Sequence, residues 1–388
     1  MHIQKTFSNL IGLLIPFPIV RRHVKQCLMR YDLCAELEFM QFCKRKLREN
    51  SVCLIEINGC HGEVLAGIIP LLKKAGCQNI DIAVNADVYD EKPFCRLDMH
   101  DVHVYRMPYN MINRFINSDR IKKYKHLFLM SSACYHIQED GYEYSTILPL
   151  FRKAGLKPVI IEHDLKDVSR FNEEDFLAEK RLVTLGKFDK GIFINPHDFG
   201  EVREKVKSSY TTFVTVGNLE AKRKNFHQLI ETINMLVKKG KHFKVVVIGR
   251  GNQEKIPSEL RQYIHFTGRL KFPQMYKQLE KADFFLPLLD ADNPLHERYI
   301  TSGVTGSAQL IYGFIKVPVI DKKFAGFYRF NRKNAIVYDK NLASGMLEAI
   351  EMSPERYSEL CEVLKKTASD ISEESIGNLQ QILSVEKI

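Results

Sequence analysis

Short runs of β-branched and other apolar residues alternate with longer amphipathic stretches along most of this chain, and the alternation occurs twice. The first series runs from a predicted strand at 52–57 to another at 191–195, and the second from 211–216 to 317–320. Strands that alternate with helices form parallel sheets covered on both faces. The sequence therefore predicts an α/β protein with two doubly wound Rossmann-like domains that face each other across a cleft.

The same periodicity predicts the elements between these ends. Further strands are predicted at 80–84, 102–105, 126–130, 158–161, 244–248, 264–267 and 283–288. Helices are predicted at 63–75, 144–153, 226–238, 272–281, 306–314, 342–351 and 354–366.

The N-terminal 50 residues differ from this pattern. Their apolar run at 10–20 is shorter than the roughly 20 residues of a membrane-spanning helix, and two prolines interrupt it. Residues 1–50 hold nine Lys or Arg and four Asp or Glu. Such a basic helical segment either lies on an anionic membrane surface or packs on the core with a solvated basic face.

The whole chain is basic, with 57 Lys or Arg against 47 Asp or Glu and a net charge of +10. That excess suits an anionic partner: a nucleic acid, an acidic membrane surface or a phosphorylated substrate. Because the cations do not form one stripe interleaved with aromatic residues, we expect no nucleic acid partner. The nine cysteines form no CxxC pair and fit no zinc spacing, and a disulfide framework is not expected in so large a core, which indicates a reducing, cytoplasmic environment.

Ligands of doubly wound domains bind at the carboxyl ends of the strands, so the loops there hold the candidate residues. The loop after the strand at 211–216 contains Gly217, Asn218, Lys222 and Lys224 just before a predicted helix. Cations beside a helix N-terminus oppose the helix dipole unless an anion is also bound. This loop is therefore either a diphosphate site or a solvated basic loop.

Two further loops of the second half are candidates. Gly249 and Arg250 follow the strand at 244–248, where glycine permits a close approach of backbone or ligand. The predicted helix at 306–314 opens with small and hydroxyl-bearing residues. These are Ser302, Gly303, Thr305, Gly306 and Ser307. An ordinary Ser or Thr cap explains one hydroxyl, and the number of small residues favours a phosphate site.

In the first half, His163 follows the strand at 158–161 and has Asp164 beside it. A histidine at a strand end is more often structural than functional, and the alternative is a residue that faces the cleft. The other cleft candidate is the turn after the first strand, with Gly59, His61 and Gly62.

The order of these motifs resembles that of the GT-B glycosyltransferases, in particular the large group 1, family 4-like set. The resemblance covers roughly residues 211–320. It rests on Gly217 and Lys224, the strand and glycine turn at 245–251, His-Phe-Thr-Gly at 265–268, Lys-Ala-Asp-Phe-Phe-Leu-Pro at 281–287, and Val-Pro-Val-Ile at 317–320. The apolar N-terminal run followed by two arginines is similar to the start of bacterial capsule and lipooligosaccharide glycosyltransferases.

The resemblance implies transfer of a sugar from a nucleotide-diphosphate sugar to a glycan or lipid-linked glycan, without a metal, in cell-surface polysaccharide or lipopolysaccharide synthesis. It implies catalytic roles for His163 and Lys224 and donor binding by the second-half loops, with help from Arg250 or Arg269. It also implies a peripheral position on the inner membrane face. The implied domains are an N-terminal segment (1–50), an acceptor-side domain (51–208), a donor domain (209–350) and C-terminal helices that cross back to the first domain (351–388).

Two positions depart from the family pattern. Asn218 stands where the family has an arginine, and Gly303 and Ile311 stand where it has a pair of glutamates. Two alternatives therefore remain: a nucleotide-sugar epimerase on the same fold, which needs no acceptor, and a degenerate GT-B protein that only binds.

Overall fold

Two parallel β-sheets form the frame of the chain in the computed structural model. The structure describes residues 16–18, 20, 33–138, 141–171, 174–203, 205–218, 224–251, 254 and 256–384. Most of the predicted basic helical segment at 1–50 lies outside the described residues. None of the described helices is long and apolar enough to cross a membrane.

The first sheet is built from the first half of the chain. The strands of this half are β1 (Ser51–Glu56), β2 (Asn79–Val84), β3 (Val102–Arg106), β4 (His126–Leu129), β5 (Ala133–Gln138), β6 (Gly141–Thr146), β7 (Val159–Glu162), β8 (Leu182–Thr184) and β9 (Ile192–Phe193). Seven of them form one parallel sheet in the order β3-β2-β1-β4-β7-β8-β9, and β5 pairs with β6 as an antiparallel hairpin.

The second sheet has the same plan with six strands. They are β10 (Thr211–Val216), β11 (Phe243–Ile248), β12 (Ile264–Phe266), β13 (Phe284–Phe285), β14 (Val317–Asp321) and β15 (Ile336–Tyr338). Their order is β12-β11-β10-β13-β14-β15, and every pairing is parallel. In both sheets the order of the strands reverses at the first strand. The chain adds β2 and β3 on one side of β1 and then returns to place β4 on the other side, and it adds β11 and β12 on one side of β10 before it places β13 on the other. Loops at such a switch point open into the ligand crevice.

Helices cover both faces of each sheet. They are α1 (Leu33–Lys44), α2 (Gly62–Lys74), α3 (Ala86–Glu91), α4 (Ile112–Ile116), α5 (Leu148–Lys153), α6 (Leu165–Phe171), α7 (Glu174–Ala178), α8 (Phe226–Lys238), α9 (Phe272–Lys281), α10 (Arg298–Thr301), α11 (Ser307–Phe314), α12 (Lys322–Ala325), α13 (Leu342–Glu351) and α14 (Pro354–Ser384). All six residues of β1 are buried, as expected for a parallel strand with helices on both sides. The predicted α/β architecture of two doubly wound domains is confirmed.

One predicted helix is wrong in its first half. The helix expected at 144–153 begins at Leu148, and residues before it form β6. The hydroxyl of Thr146 accepts a hydrogen bond from the Leu148 amide at 3.2 Å, so the last residue of the strand satisfies the first amide of the helix. The sequence analysis also missed the hairpin, β8 and β15.

The C-terminal helix α14 is far longer than predicted, with 31 residues, and it connects the two domains. Its first turns place Tyr357 and Leu360 in the core of the second domain, and its last turns place Leu379 and Ile382 in the core of the first. The side chain of Asn378 also donates to the Phe193 carbonyl at 2.7 Å. The polar residues after 366 concealed this helix, because its apolar residues recur only once per turn.

The burial of α14 leads to a stability prediction. Leu379 is fully buried, so Leu379→Ala should lower the free energy of unfolding by about 2–5 kcal/mol through lost burial and a residual cavity. Val363→Ala, at a 37% exposed position of the same helix, should change it by only about 0.5 kcal/mol. Urea unfolding followed by circular dichroism measures both. Equal effects would show that the end of α14 does not stabilise the first domain.

Candidate functional site

The loop after β7 and the loop before α11 meet across the cleft by backbone contacts. Asp164 and Gly303 form an antiparallel bridge, and the Leu165 amide donates to the Ser302 carbonyl at 2.6 Å. The two loops belong to different domains. Because backbone hydrogen bonds require close and specific alignment, they fix the relative position of the loops on the cleft floor.

A charged pair reinforces this contact. The guanidinium of Arg298 donates to a carboxylate oxygen of Asp164 at 2.6 Å, and the Asp164 side chain is only 12% exposed. In the same region the Val304 amide donates to the His163 carbonyl at 3.2 Å. His163 is therefore held between its own strand and the second domain.

A second set of contacts joins the domains beside α9. Arg96 of the first domain makes two hydrogen bonds to the Glu280 carboxylate, at 2.6 and 2.9 Å. A Cβ at Gly62 would lie 2.8 Å from the ring of Phe272, so only glycine fits at this contact. The predicted acceptor-side residue Gly62 thus packs against the other domain.

Between these contacts lies a cavity of about 210 Å³ with walls from both domains. Its lining includes Glu63 and Glu91 from the first domain, and Lys224, Thr305, Gly306 and Ser307 from the second. The cavity therefore brings together the candidate loop after β10, the candidate start of α11 and the first turn of α2.

Lys224 is the cation of this cavity. Its ammonium group donates to the Pro287 carbonyl at 2.7 Å, and burial lowers its pKa to about 7. A neutral carbonyl does not compensate the lysine charge, and no ion pair to a carboxylate is found for it in the described part of the chain. An anion in the cavity would therefore be bound favourably.

The glycines of the second domain allow its loops to approach closely. Gly249 has φ 154°, and a Cβ there would lie 2.1 Å from the Gly217 carbonyl oxygen. Gly217 has φ 122°, and a Cβ there would lie 3.3 Å from Cε of Lys224. The two glycines thus position the lysine beneath the strand ends. Asn218 and Arg250 are exposed beside them, and Lys222 lies outside the described residues.

The start of α11 offers fewer free backbone amides than its composition of small residues suggested. The predicted phosphate site relied on backbone amides, and most amides there have internal partners. Gly303 donates to Arg298 O at 2.8 Å, Val304 to His163 O at 3.2 Å, Thr305 to the Tyr328 hydroxyl at 3.1 Å and Ser307 to Thr305 Oγ1 at 3.3 Å. Within the described segment this leaves the Gly306 amide for a ligand. Ser302 is buried, and its hydroxyl has no partner among the described residues.

His163 is neutral in this site. Its Nε2 is 3.0 Å from the Met130 carbonyl, and its ring lies 3.9 Å from the ring of His61, centroid to centroid. Burial, and then the neighbouring His61, lower the pKa of His163 to about 3. Since a carbonyl only accepts, Nε2 carries the proton and Nδ1 can accept a hydrogen bond. Such a ring is a weak base.

Glu63 is the site residue that the sequence analysis missed. It follows the predicted loop directly and lies in the first turn of α2, whose N-cap is His61 with φ 65°. Its Oε1 is 3.9 Å from Nδ1 of His61, and a Cβ at Gly306 would lie 3.6 Å from the same oxygen. Burial raises the pKa of Glu63. The sequence did contain a signal for Glu63, because it is an acidic residue in the first turn of a helix that follows a glycine-containing loop at the end of a strand.

A second carboxyl group lies below the loop. Glu56 is fully buried at the end of β1, where it accepts the Asn58 amide at 2.7 Å and where burial raises its pKa to about 8. Its other oxygen has no partner in the part of the chain that the structure describes. Glu56 is therefore mostly protonated at neutral pH.

Two predicted residues lie against acidic residues of the first domain. Arg269, expected to help bind the donor, forms an ion pair with Glu91 of the first domain. Gly59 faces Asp87, because a Cβ at Gly59 would lie 3.2 Å from Oδ2 of that residue. Over the described residues, no three His, Cys, Asp or Glu side chains come together as a metal-binding group.

Comparison with known proteins assigns the fold. Residues 210–301 match the family model described as Glycosyl transferases group 1. Among solved structures, a glycosyltransferase from Rickettsia africae is 10% identical with a TM-score of 0.53, over 87% of this chain and 98% of the other. The chain has the fold of the GT-B glycosyltransferases.

Two further GT-B structures are similar and contain a nucleotide. An alpha-glucosyltransferase in complex with UDP is 11% identical with a TM-score of 0.55, over 86% of this chain and all of the other. HepE from Anabaena, in complex with UDP and glucose, is also 11% identical with a TM-score of 0.50 and the same coverage. No curated protein sequence matches the chain.

The pair that joins the two GT-B domains can be tested by removing its charge. Asp164→Asn keeps a side-chain oxygen to cap the Lys166 amide but leaves the Arg298 guanidinium without a counter-charge. We expect the free energy of unfolding to fall by about 1–3 kcal/mol, less than for a fully buried pair because Arg298 is 35% exposed. Urea unfolding measures it.

Asp292→Asn is the matched control, because its pair with Lys340 is about two-thirds exposed on both sides. Its effect should stay below about 1 kcal/mol. An equally small effect of Asp164→Asn would show that the interdomain pair does not stabilise the closed arrangement.

Proposed function

We propose that the chain is a glycosyltransferase that transfers a sugar from a nucleotide-diphosphate sugar, with uridine diphosphate as the leaving group, to a hydroxyl group of a glycan or lipid-linked glycan. The observation that carries this proposal is the ammonium group of Lys224, which is partly buried in a cavity between two GT-B domains and has no carboxylate partner among the described residues. The UDP in two structures of similar fold supports the choice of nucleotide.

The chemistry fits the charges of this cavity. During transfer the bond from the sugar C1 to the diphosphate oxygen breaks and the acceptor oxygen bonds to C1. The acceptor hydroxyl gives its proton to the departing diphosphate or to water. Negative charge therefore grows on the leaving diphosphate. Lys224, with the Gly306 amide and the Ser307 hydroxyl beside it, supplies the positive end of the site. In this proposal protein groups neutralise the diphosphate and no metal is needed.

The first domain supplies the sugar side of the cavity. The Glu63 carboxyl group lines the cavity and faces the start of α11. His163 lies outside the cavity wall with its ring against that of His61, and its Nδ1 can accept a hydrogen bond. Both groups suit the hydroxyl groups of a sugar, because both accept hydrogen bonds. The loop with Gly59 and His61 borders this side and is the proposed entry of the acceptor. The proposed role is cell-surface polysaccharide synthesis at the cytoplasmic face of a membrane.

A degenerate GT-B protein that only binds nucleotide is the second candidate. The observation that favours it is at the start of α11, where most backbone amides already donate to partners within the protein and are not available to a ligand. Release of UDP only in the presence of an acceptor distinguishes a transferase from this candidate and from an epimerase.

Loss of the lysine charge should remove nucleotide binding. We expect Lys224→Met to raise the Kd for UDP about 10–100-fold, the effect of losing one hydrogen bond to a charged group. Isothermal titration calorimetry measures it, with Lys271→Met as a control, since that exposed lysine bonds to the Asp90 carbonyl outside the cavity. Absence of UDP binding to the folded wild-type chain would contradict the donor site.

The low pKa of Lys224 also predicts a pH dependence. In the free protein its pKa is about 7, so part of the lysine is uncharged at neutral pH. A bound diphosphate favours the ammonium form, so binding takes up a proton and the affinity falls about tenfold for each pH unit above 7. Calorimetry from pH 6 to 9, in buffers with different ionisation enthalpies, measures both effects.

Lys224→Arg is the control, because arginine stays charged over this range. It should bind UDP without proton uptake and with a flat profile above pH 7. A flat profile for the wild-type chain would contradict the assignment of the lysine as the titrating group.

A further inference from the structure

The excess positive charge of the chain is concentrated at one edge of the first sheet. Four segments, 44–49, 119–125, 152–157 and 179–181, together hold thirteen Lys or Arg and three Asp or Glu. We call this surface the basic edge. Asp81 of β2 and Asp101 just before β3 neutralise Arg120 and Arg48, and Glu179 pairs with Arg181 and Lys157. Cations still greatly outnumber carboxylates on this surface.

The topology explains why the four segments meet. Each one leads directly into a strand, namely β1, β4, β7 and β8, and these strands are neighbours in that order in a parallel sheet. Parallel strands all begin at the same edge of their sheet. The basic edge is therefore the edge opposite to the cleft, so the cations there do not serve the candidate donor site.

The basic edge also contains a cavity of about 340 Å³. Its rim carries Lys122, Lys125, Lys157, Lys180 and Arg181 around a single carboxylate, Glu179, which pairs with Lys157 and Arg181, and its walls include Leu127, Leu156 and Ile382. Nε2 of His126, on the same cavity, is a buried atom without a partner among the described residues. Beside the cavity, Leu150 is 37% exposed on α5. A cationic rim around apolar walls is complementary to an anionic amphiphile.

A nucleic acid fits this surface less well. Proteins that bind single strands stack bases on exposed aromatic rings. The aromatic residue within the four segments, Tyr124, is 2% exposed, and its ring lies 6.4 Å from the ring of Phe42. The described part of the basic edge therefore offers cations and apolar surface but no stacking ring.

We propose that the basic edge docks on an anionic phospholipid membrane, with lipid headgroup phosphates at the lysine rim. This proposal assigns a surface of the first domain to the membrane partner proposed above. It does not depend on transferase activity, because the basic edge and the cleft lie at opposite ends of the strands. Each Lys or Arg near an anionic bilayer contributes roughly fivefold to the partition coefficient.

Vesicle flotation tests the proposal with the full chain. We expect the chain to float with vesicles of phosphatidylglycerol and phosphatidylcholine and not with phosphatidylcholine alone. The triple variant Lys125→Glu, Lys153→Glu, Lys180→Glu changes three exposed residues of the basic edge and should lower the partition coefficient at least 100-fold. The same residues changed to Gln should give a smaller loss in the same direction.

The control changes three exposed lysines of the second domain, in the variant Lys239→Glu, Lys277→Glu, Lys333→Glu, which has the same net charge. It should float nearly as well as the wild-type chain. Equal flotation of both triple variants would overturn the proposal, because the net charge or another segment would then carry the binding. Oligonucleotide binding that is lost in the basic-edge variant, without any flotation, would assign the surface to nucleic acid and overturn it too. Calorimetry with UDP on the same samples reports separately on the donor site.

Discussion

The contact between the loop after β7 and the loop before α11 sets the geometry of the whole cleft. A backbone bridge at Asp164 and Gly303, and the charged pair of Asp164 with Arg298, hold the carboxyl ends of two sheets against each other. His163 precedes the bridge on one side, and the start of α11 follows it on the other. The distance between the groups that would meet a donor sugar and those that would meet its diphosphate therefore depends on this contact.

Burial is the main cause of the unusual pKa values in the cavity and at the adjoining His163. It lowers the pKa of Lys224 to about 7 and that of His163 to about 3, and it raises that of Glu63. All three shifts favour the neutral forms, because a charge without a close partner costs free energy away from water. The cavity thus carries less charge than its composition suggests. A diphosphate would restore the charge of the lysine, which couples binding to protonation.

The sequence predicted the fold well because its periodicity reports burial, and both sheets follow the apolar runs closely. It also named Gly217, Gly249 and Lys224 as candidates in two strand-end loops, and the structure brings the three together because loops after adjacent parallel strands meet at one edge of the sheet. It did not predict that Arg298 would pair with Asp164, or that the His163 carbonyl would accept a hydrogen bond from the Val304 amide. Those contacts join segments about 140 residues apart, across a domain interface that no local pattern encodes. Glu63 was missed for the same reason, because its significance depends on Gly306 of the other domain.

The position of the basic edge also limits which acceptors can reach the donor cavity from a membrane. The edge and the cleft lie at opposite ends of the same strands, and a six-residue strand such as β1 spans about 20 Å. When the basic edge rests on a bilayer, the donor cavity is therefore at least one strand length away from the headgroups. A hydroxyl on the sugar directly attached to a lipid stays close to the headgroups and does not reach that cavity. The proposed orientation consequently favours a glycan whose reacting end extends well beyond its lipid anchor, and a donor that enters the cleft from the aqueous side.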